Sequence, residues 1–211
     1  MNTLDKYISD HTSPEDELLK ELDRQTHLQV VQPRMLSGHV QGKLLTMLVQ
    51  MMRPKCLLEI GTFTGYSALC IAAGLDEGAE LHTFEVDDEL ECIAGSFFAR
   101  SPHGHKIHHH IGSALDKVPH MGLQFDMVFM DGDKREYPEY YTMLMDSVGL
   151  KSGSVIIADN ILWSGKVVEP LHHNDKHTRA LLEFNRMVVE DPRVECVILP
   201  IRDGLTLIRV K

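Results

Sequence analysis

The stretch Leu57-Leu58-Glu59-Ile60-Gly61-Thr62-Phe63-Thr64-Gly65-Tyr66-Ser67 decides the fold. A short apolar run that ends on an acid, breaks at two spaced glycines and then resumes reads as a strand turning into a helix. That turn lies at the carboxyl edge, where open α/β sheets bind ligands. Downstream, further bounded apolar runs occupy 81–84, 107–111, 125–130 and 155–158, and stretches at 66–73, 88–100 and 137–148 have the length of crossover helices. This alternation predicts a doubly wound, mostly parallel α/β sheet. The carboxyl end breaks the rhythm. Runs at 194–199 and 205–210 are separated only by Pro200-Ile201-Arg202-Asp203-Gly204, too short for a helical crossover, so the last of seven strands is expected to run antiparallel.

Upstream, two amino-terminal helices are expected before any strand. Ser13-Pro14-Glu15-Asp16-Glu17 offers a capping hydroxyl, a proline and acids for the positive end of a helix dipole, and an apolar pattern from Gly38 to Met52 is stopped by Arg53-Pro54. With 211 residues, 43% of them hydrophobic, the expectation is one domain over 1–211. Lys and Arg number 21 against 31 Asp and Glu, a formal charge of −10 that disfavours a phosphate polymer as partner. Cys56, Cys70, Cys92 and Cys196 form no CxxC pair and are read as reduced core thiols. No basic-then-apolar leader and no span of ~20 apolar residues is seen, so a cytoplasmic location with no membrane partner is expected.

The loop after the first strand separates two ligand classes. A dinucleotide fingerprint needs glycine where this chain has Phe63, and Glu59 precedes the first glycine, Gly61. A pyrophosphate reader, and with it a nicotinamide dehydrogenase, is disfavoured; an acid at the strand tip suits a cation such as S-adenosylmethionine, with its sulfonium and ammonium. The second strand ends in Glu85, placed to accept ribose hydroxyls. Asp131 closes the fourth strand, and Asp159 with Asn160 closes the fifth. Three hard oxygen donors at neighbouring strand tips select Mg²⁺, with Mn²⁺ or Ca²⁺ as other oxygen-seeking ions. Lys134, three residues beyond Asp131, is a candidate general base in that pocket; the alternative is a surface pair with Asp133 or Glu136.

His108-His109-His110 resembles a metal tract, but successive strand residues face opposite ways, so the triplet cannot converge on one ion and fits a partly exposed strand. His172, His173 and His177 lie in a polar stretch after Trp163 that reads equally as a flap over an acceptor, a disordered segment or plain solvent-exposed chain.

The strings LLEIGTFTGYSALC, FDMVFMDGDKREYPEYY, GSVIIADNILWSGKVV and DPRVECVILPIRDGLTLIR closely resemble the cation-dependent O-methyltransferases of the caffeoyl-CoA and catechol type, from about Met35 to Lys211. The resemblance implies the class I methyltransferase fold, Rossmann-like, and a methyl group moved from S-adenosylmethionine to a small hydroxylated aromatic acceptor. It implies a metal on Asp131, Asp159 and Asn160, and catalysis by Lys134 with Asp131. Cofactor contacts would come from Ser37, Glu59, Gly61, Thr62, Ser67, Glu85, Ala114 and Asp131, and Trp163 would help form the acceptor pocket. It also implies a homodimer, for which Leu28, Val30 and Val31 are candidate packing residues. The chain departs from the plant pattern at Gly38-His39-Val40-Gln41-Gly42 and at Gly132, and basic positions for a CoA phosphate have no match, which points to a free phenol. Two rivals remain at this level: methylation of a hydroxylated tRNA wobble uridine, for which Arg24, Arg34, Lys43 and Arg53 would supply a local basic face, and a non-catalytic cofactor-binding module.

Overall fold

The computed structural model describes residues 3–211. The first helices are α1 (Thr3–Asp10), α2 (Glu17–Gln29) and α3 (Gly38–Met52), followed by β1 (Cys56–Ile60) and α4 (Tyr66–Gly74). Then come β2 (Glu80–Glu85), α5 (Glu91–Arg100), β3 (Ile107–Ile111), α6 (Ala114–Lys117), β4 (Met127–Met130) and α7 (Tyr137–Thr142). The chain closes with β5 (Val155–Asp159), α8 (Lys176–Glu190), β6 (Val194–Leu199) and β7 (Leu205–Val210). The seven strands form one sheet in the order β3-β2-β1-β4-β5-β7-β6. β7 runs antiparallel to both β5 and β6, as the short 200–204 connection requires.

By internal contacts the chain forms two compact units, one made of the residues up to Lys55 with Thr62–Ile111, the other of Cys56–Gly61 with Gly112–Lys211. In the first, α4 is buried along nearly its whole length, which explains why its sequence is apolar on every side. In the second, Met127–Met130 and Ile156–Ala158 are fully buried central strands, and Tyr137, Phe184 and Leu205 are buried with them. No helix among the described residues is long and apolar enough to cross a membrane.

Several sequence expectations are corrected. Three α-helices, not two, precede β1: α1 carries only Leu4, Tyr7 and Ile8 as an apolar set, none of them buried, too short a pattern to register. The cap of α2 is Asp16, whose carboxylate accepts from Leu19 N at 2.8 Å, rather than Ser13. The helix expected over 137–148 changes pitch at Met143 into a π-helical turn that ends on Gly149. Among the cysteines, all free, Cys70 is buried but Cys92 and Cys196 are exposed, so the core reading fails for those two. Of the readings open for the stretch after Trp163, solvent exposure holds at His172 and His173, while its ends are anchored: Ser164 N donates to Asp203 Oδ1 at 2.6 Å, Trp163 stacks on His177 with ring centres 5.6 Å apart, and Asp175 caps α8.

Candidate active site

The strand-tip acids and the lysine belong to the second unit. β4 and β5 pair in parallel with Met130 beside Ala158, so Asp131 and Asp159 are the next residues on adjacent strands. Parallel-paired residues project to the same face of a sheet, which is why two acids read at two strand tips become neighbours. Asp131 N donates to Ile60 O at 2.8 Å, which fixes its backbone against the end of β1. That approach depends on Gly61, which has φ +102°; a Cβ there would stand 2.5 Å from the Asp131 carbonyl oxygen.

Lys134 is buried, and its Nζ donates to Asp131 Oδ1 at 2.6 Å and to the Tyr137 hydroxyl at 2.8 Å. The surface alternative is thereby excluded: Asp133 is taken by Arg135, and Glu136 accepts from the Tyr140 hydroxyl. Tyr137 completes the group. Its hydroxyl lies 2.8 Å from Asp159 O and 3.0 Å from Met130 O, so one buried phenol ties the ends of β4 and β5 to the lysine. Complete burial, reinforced by Asp131 and Asp159, pushes the phenol far above its usual range, so it stays protonated and able to donate. Tyr137 was not singled out in the sequence, where only its position three residues after Lys134, on the first turn of a helix, hints at it.

Asp159 is 2% exposed, and its Oδ1 accepts from Asn160 N at 2.7 Å. Asn160 has φ +57°, a left-handed conformation that asparagine tolerates better than most residues and that turns the chain sharply beyond β5. Two carboxylates and one amide make a donor set of hard oxygens with neither thiolate nor imidazole, which fits a Mg²⁺-type ion. A carboxylate has about four acceptor positions, so the lysine bond does not saturate Asp131. Also in this unit, Glu59 is fully buried on β1, and Ala114 is buried at the start of α6, which is capped by Ser113. Trp163 has φ +47°, an outlier for a bulky residue, in the turn that leads away from β5.

The remaining expected cofactor residues belong to the first unit. Ser37, Thr62 and Ser67 are all buried. Thr62 N donates to Phe84 O at 3.0 Å, and its hydroxyl meets that of Thr83 at 2.6 Å, which draws the glycine loop onto β2. Glu85 lines a cavity of about 910 Å³ together with Phe63, Asp87, Leu90 and Val31. Its carboxylate accepts from Phe63 N at 2.7 Å, Val86 N at 2.9 Å and Asp87 N at 3.0 Å. With about four acceptor positions on a carboxylate, these bonds leave room for about one ligand hydroxyl rather than two. No signal in the amino-acid pattern marks this tie between Glu85 and the loop at Phe63.

The sequence family described as O-methyltransferase matches residues 9–211. The chain is 35% identical over 180 residues to caffeoyl-CoA O-methyltransferase of Petroselinum crispum, which covers 80% of this chain and 74% of that protein. The solved structure of an O-methyltransferase from Bacillus cereus, in complex with SAH, is 29% identical with a TM-score of 0.91, covering 100% of this chain and 98% of that one. That of the O-methyltransferase TomG from Streptomyces achromogenes, involved in tomaymycin synthesis and in complex with SAM, is 32% identical with a TM-score of 0.90, covering 100% and 96%. Sheet order, strand-tip chemistry and these matches agree: the chain has the class I methyltransferase fold and belongs to the O-methyltransferase family.

Proposed function

We propose that the protein moves a methyl group from S-adenosylmethionine to a hydroxyl of a small catechol-like or phenolic acceptor, with a divalent cation held by Asp131, Asp159 and Asn160. The observation that carries this reading is the buried chain of bonds from Asp131 through Lys134 to Tyr137 and the end of β5. Structural lysines are seldom buried and seldom anchored at two points beside paired acids, whereas a positioned proton acceptor needs that constraint. A divalent ion held by Asp131, Asp159 and Asn160 would supply Lewis acidity that makes the acceptor hydroxyl easier to deprotonate. Lys134 Nζ is the base that takes the acceptor proton. Asp131 and Tyr137 hold that nitrogen in one place, so the transfer needs little rearrangement. Glu59 and Glu85 suit the cationic and ribose parts of the donor, and Trp163 supplies an apolar wall for an aromatic acceptor. The relatives whose names include caffeoyl-CoA support the phenolic class.

The test is incubation of the pure protein with methyl-labelled donor, Mg²⁺ and a panel of catechols, simple phenols, a phenolic CoA thioester and undermodified tRNA. Label is expected on a free vicinal diol. Label on tRNA alone, or on nothing, contradicts the reading.

A further inference from the structure

The first unit carries a convergence of ligand atoms that the methyl-transfer reading does not use. β2 and β3 pair in parallel with His82 beside His108, and β3 is the outermost strand of the sheet. Alternate residues share a face, so Glu80 and His82 on β2 meet His108 and His110 on β3, while His109 turns to the other face and meets Phe98 edge-on. The histidine triplet does not converge by itself, as its sequence predicts. What the sequence conceals is that the neighbouring strand supplies the missing partners.

We propose that Glu80, His82 and His108 form a binding site for a divalent transition-metal ion of the Zn²⁺ class. One ligand atom from each of the three lies within 4.8 Å of the others. Glu80 Oε2 stands 3.6 Å from His82 Nε2 and 3.7 Å from His108 Nε2. Two ligands of a tetrahedral ion at bond lengths of ~2.1 Å stand ~3.4 Å apart, so the Glu80 carboxylate needs to move only a few tenths of an ångström, and the exposed His108 ring closes on the ion by turning out of its stack on His82. The two imidazoles lie stacked, 4.6 Å between centres, and present the same edge. His110 acts behind them: its Nε2 lies 3.1 Å from His82 Nδ1, which fixes the buried His82 ring and leaves Nε2 as the atom facing Glu80. His108 and Glu80 are exposed, which gives an ion a path of entry and a water a fourth position.

Two imidazoles and one carboxylate select Zn²⁺, Ni²⁺ or Cu²⁺ over Mg²⁺, the reverse of the oxygen-only set at Asp131, Asp159 and Asn160. The ion would join the edge strand β3 to β2 through side chains as well as backbone. This inference does not depend on the methyl-transfer reading.

The experiment is a Zn²⁺ titration of the full chain against a chromophoric chelator, with Co²⁺ absorption as a report of ligand geometry. The variants are His108→Ala and Glu80→Gln, both at exposed positions, with folding checked by circular dichroism. Asp159→Ala serves as the control for the oxygen-rich site. Each of the first two is expected to weaken Zn²⁺ binding by ~10-fold or more and to abolish the visible Co²⁺ band, with Asp159→Ala leaving both in place. Absence of Zn²⁺ binding by the unaltered chain, or unchanged affinity in either His108→Ala or Glu80→Gln, overturns the proposal.

Discussion

Tyr137 illustrates how a single buried hydroxyl can organise a group of side chains. Its hydroxyl accepts from Lys134 and donates toward the β5 backbone, so Tyr137→Phe removes both connections while keeping the ring that packs edge-on against Phe184. The loss is expected to cost about 1–3 kcal/mol of stability, because the lysine nitrogen and the carbonyls stay buried with one partner fewer. It should lower turnover more than it weakens donor binding; thermal unfolding with kinetics on the same preparation checks both. Gly61→Ala meets two obstacles, a positive φ and the Asp131 carbonyl 2.5 Å from the new methyl. A destabilisation of about 2 kcal/mol or more, with weaker donor binding, is expected from denaturant midpoints and calorimetry. At Gly132 a Cβ would stand 2.9 Å from the Tyr140 hydroxyl, so the ring must shift to admit alanine.

At the scale of elements, the helix ends carry the clearest local chemistry. Asp16 caps α2 through Leu19 N, and Asp16→Ala should lower stability by about 1 kcal/mol in a urea titration. Near the end of α8, Asp191 accepts from the Tyr141 hydroxyl at 2.9 Å and from Arg193, which ties α7 to this turn. The Arg193 guanidinium, aided by its backbone N–H and by Tyr141, holds the Asp191 carboxyl down to about 2. A depressed carboxyl contributes stability above its unfolded value, near ~3.9, and loses it as pH falls toward about 2. Urea midpoints of the unaltered chain should therefore fall between those pH values by more than those of Asp191→Asn. Legibility follows the same logic. The strands at 107–111, 194–199 and 205–210 are readable to the residue because each run is bounded by turn residues. α1 and the π-turn after α7 were not, since one has too few apolar positions and the other keeps a helical pattern while its pitch changes. Asp131, Lys134 and Asp159 stood out as polar residues that close apolar runs. Tyr137 and the Glu80–His82–His108 group did not, because their meaning lies in strand register and in bonds between residues distant in sequence.

For the whole molecule, the acidic balance of −10 favours the dication and the cationic donor proposed for Asp131, Asp159 and Asn160 and for the glycine loop. The family match over residues 9–211 places the chain in a known reaction class. If Asp159 holds an ion needed for turnover, Asp159→Ala should cut methyl transfer by about 100-fold or more, about 3 kcal/mol at the barrier, and leave S-adenosylhomocysteine affinity nearly unchanged. Equal loss of both would place Asp159 in donor binding instead. The most direct measurement is methyl transfer to a catechol after exhaustive chelation, followed by re-addition of Mg²⁺ to the unaltered chain and to Asp159→Ala. The account predicts no transfer after chelation, recovery on re-addition in the unaltered chain and none in the variant; full activity in the presence of chelator would contradict it.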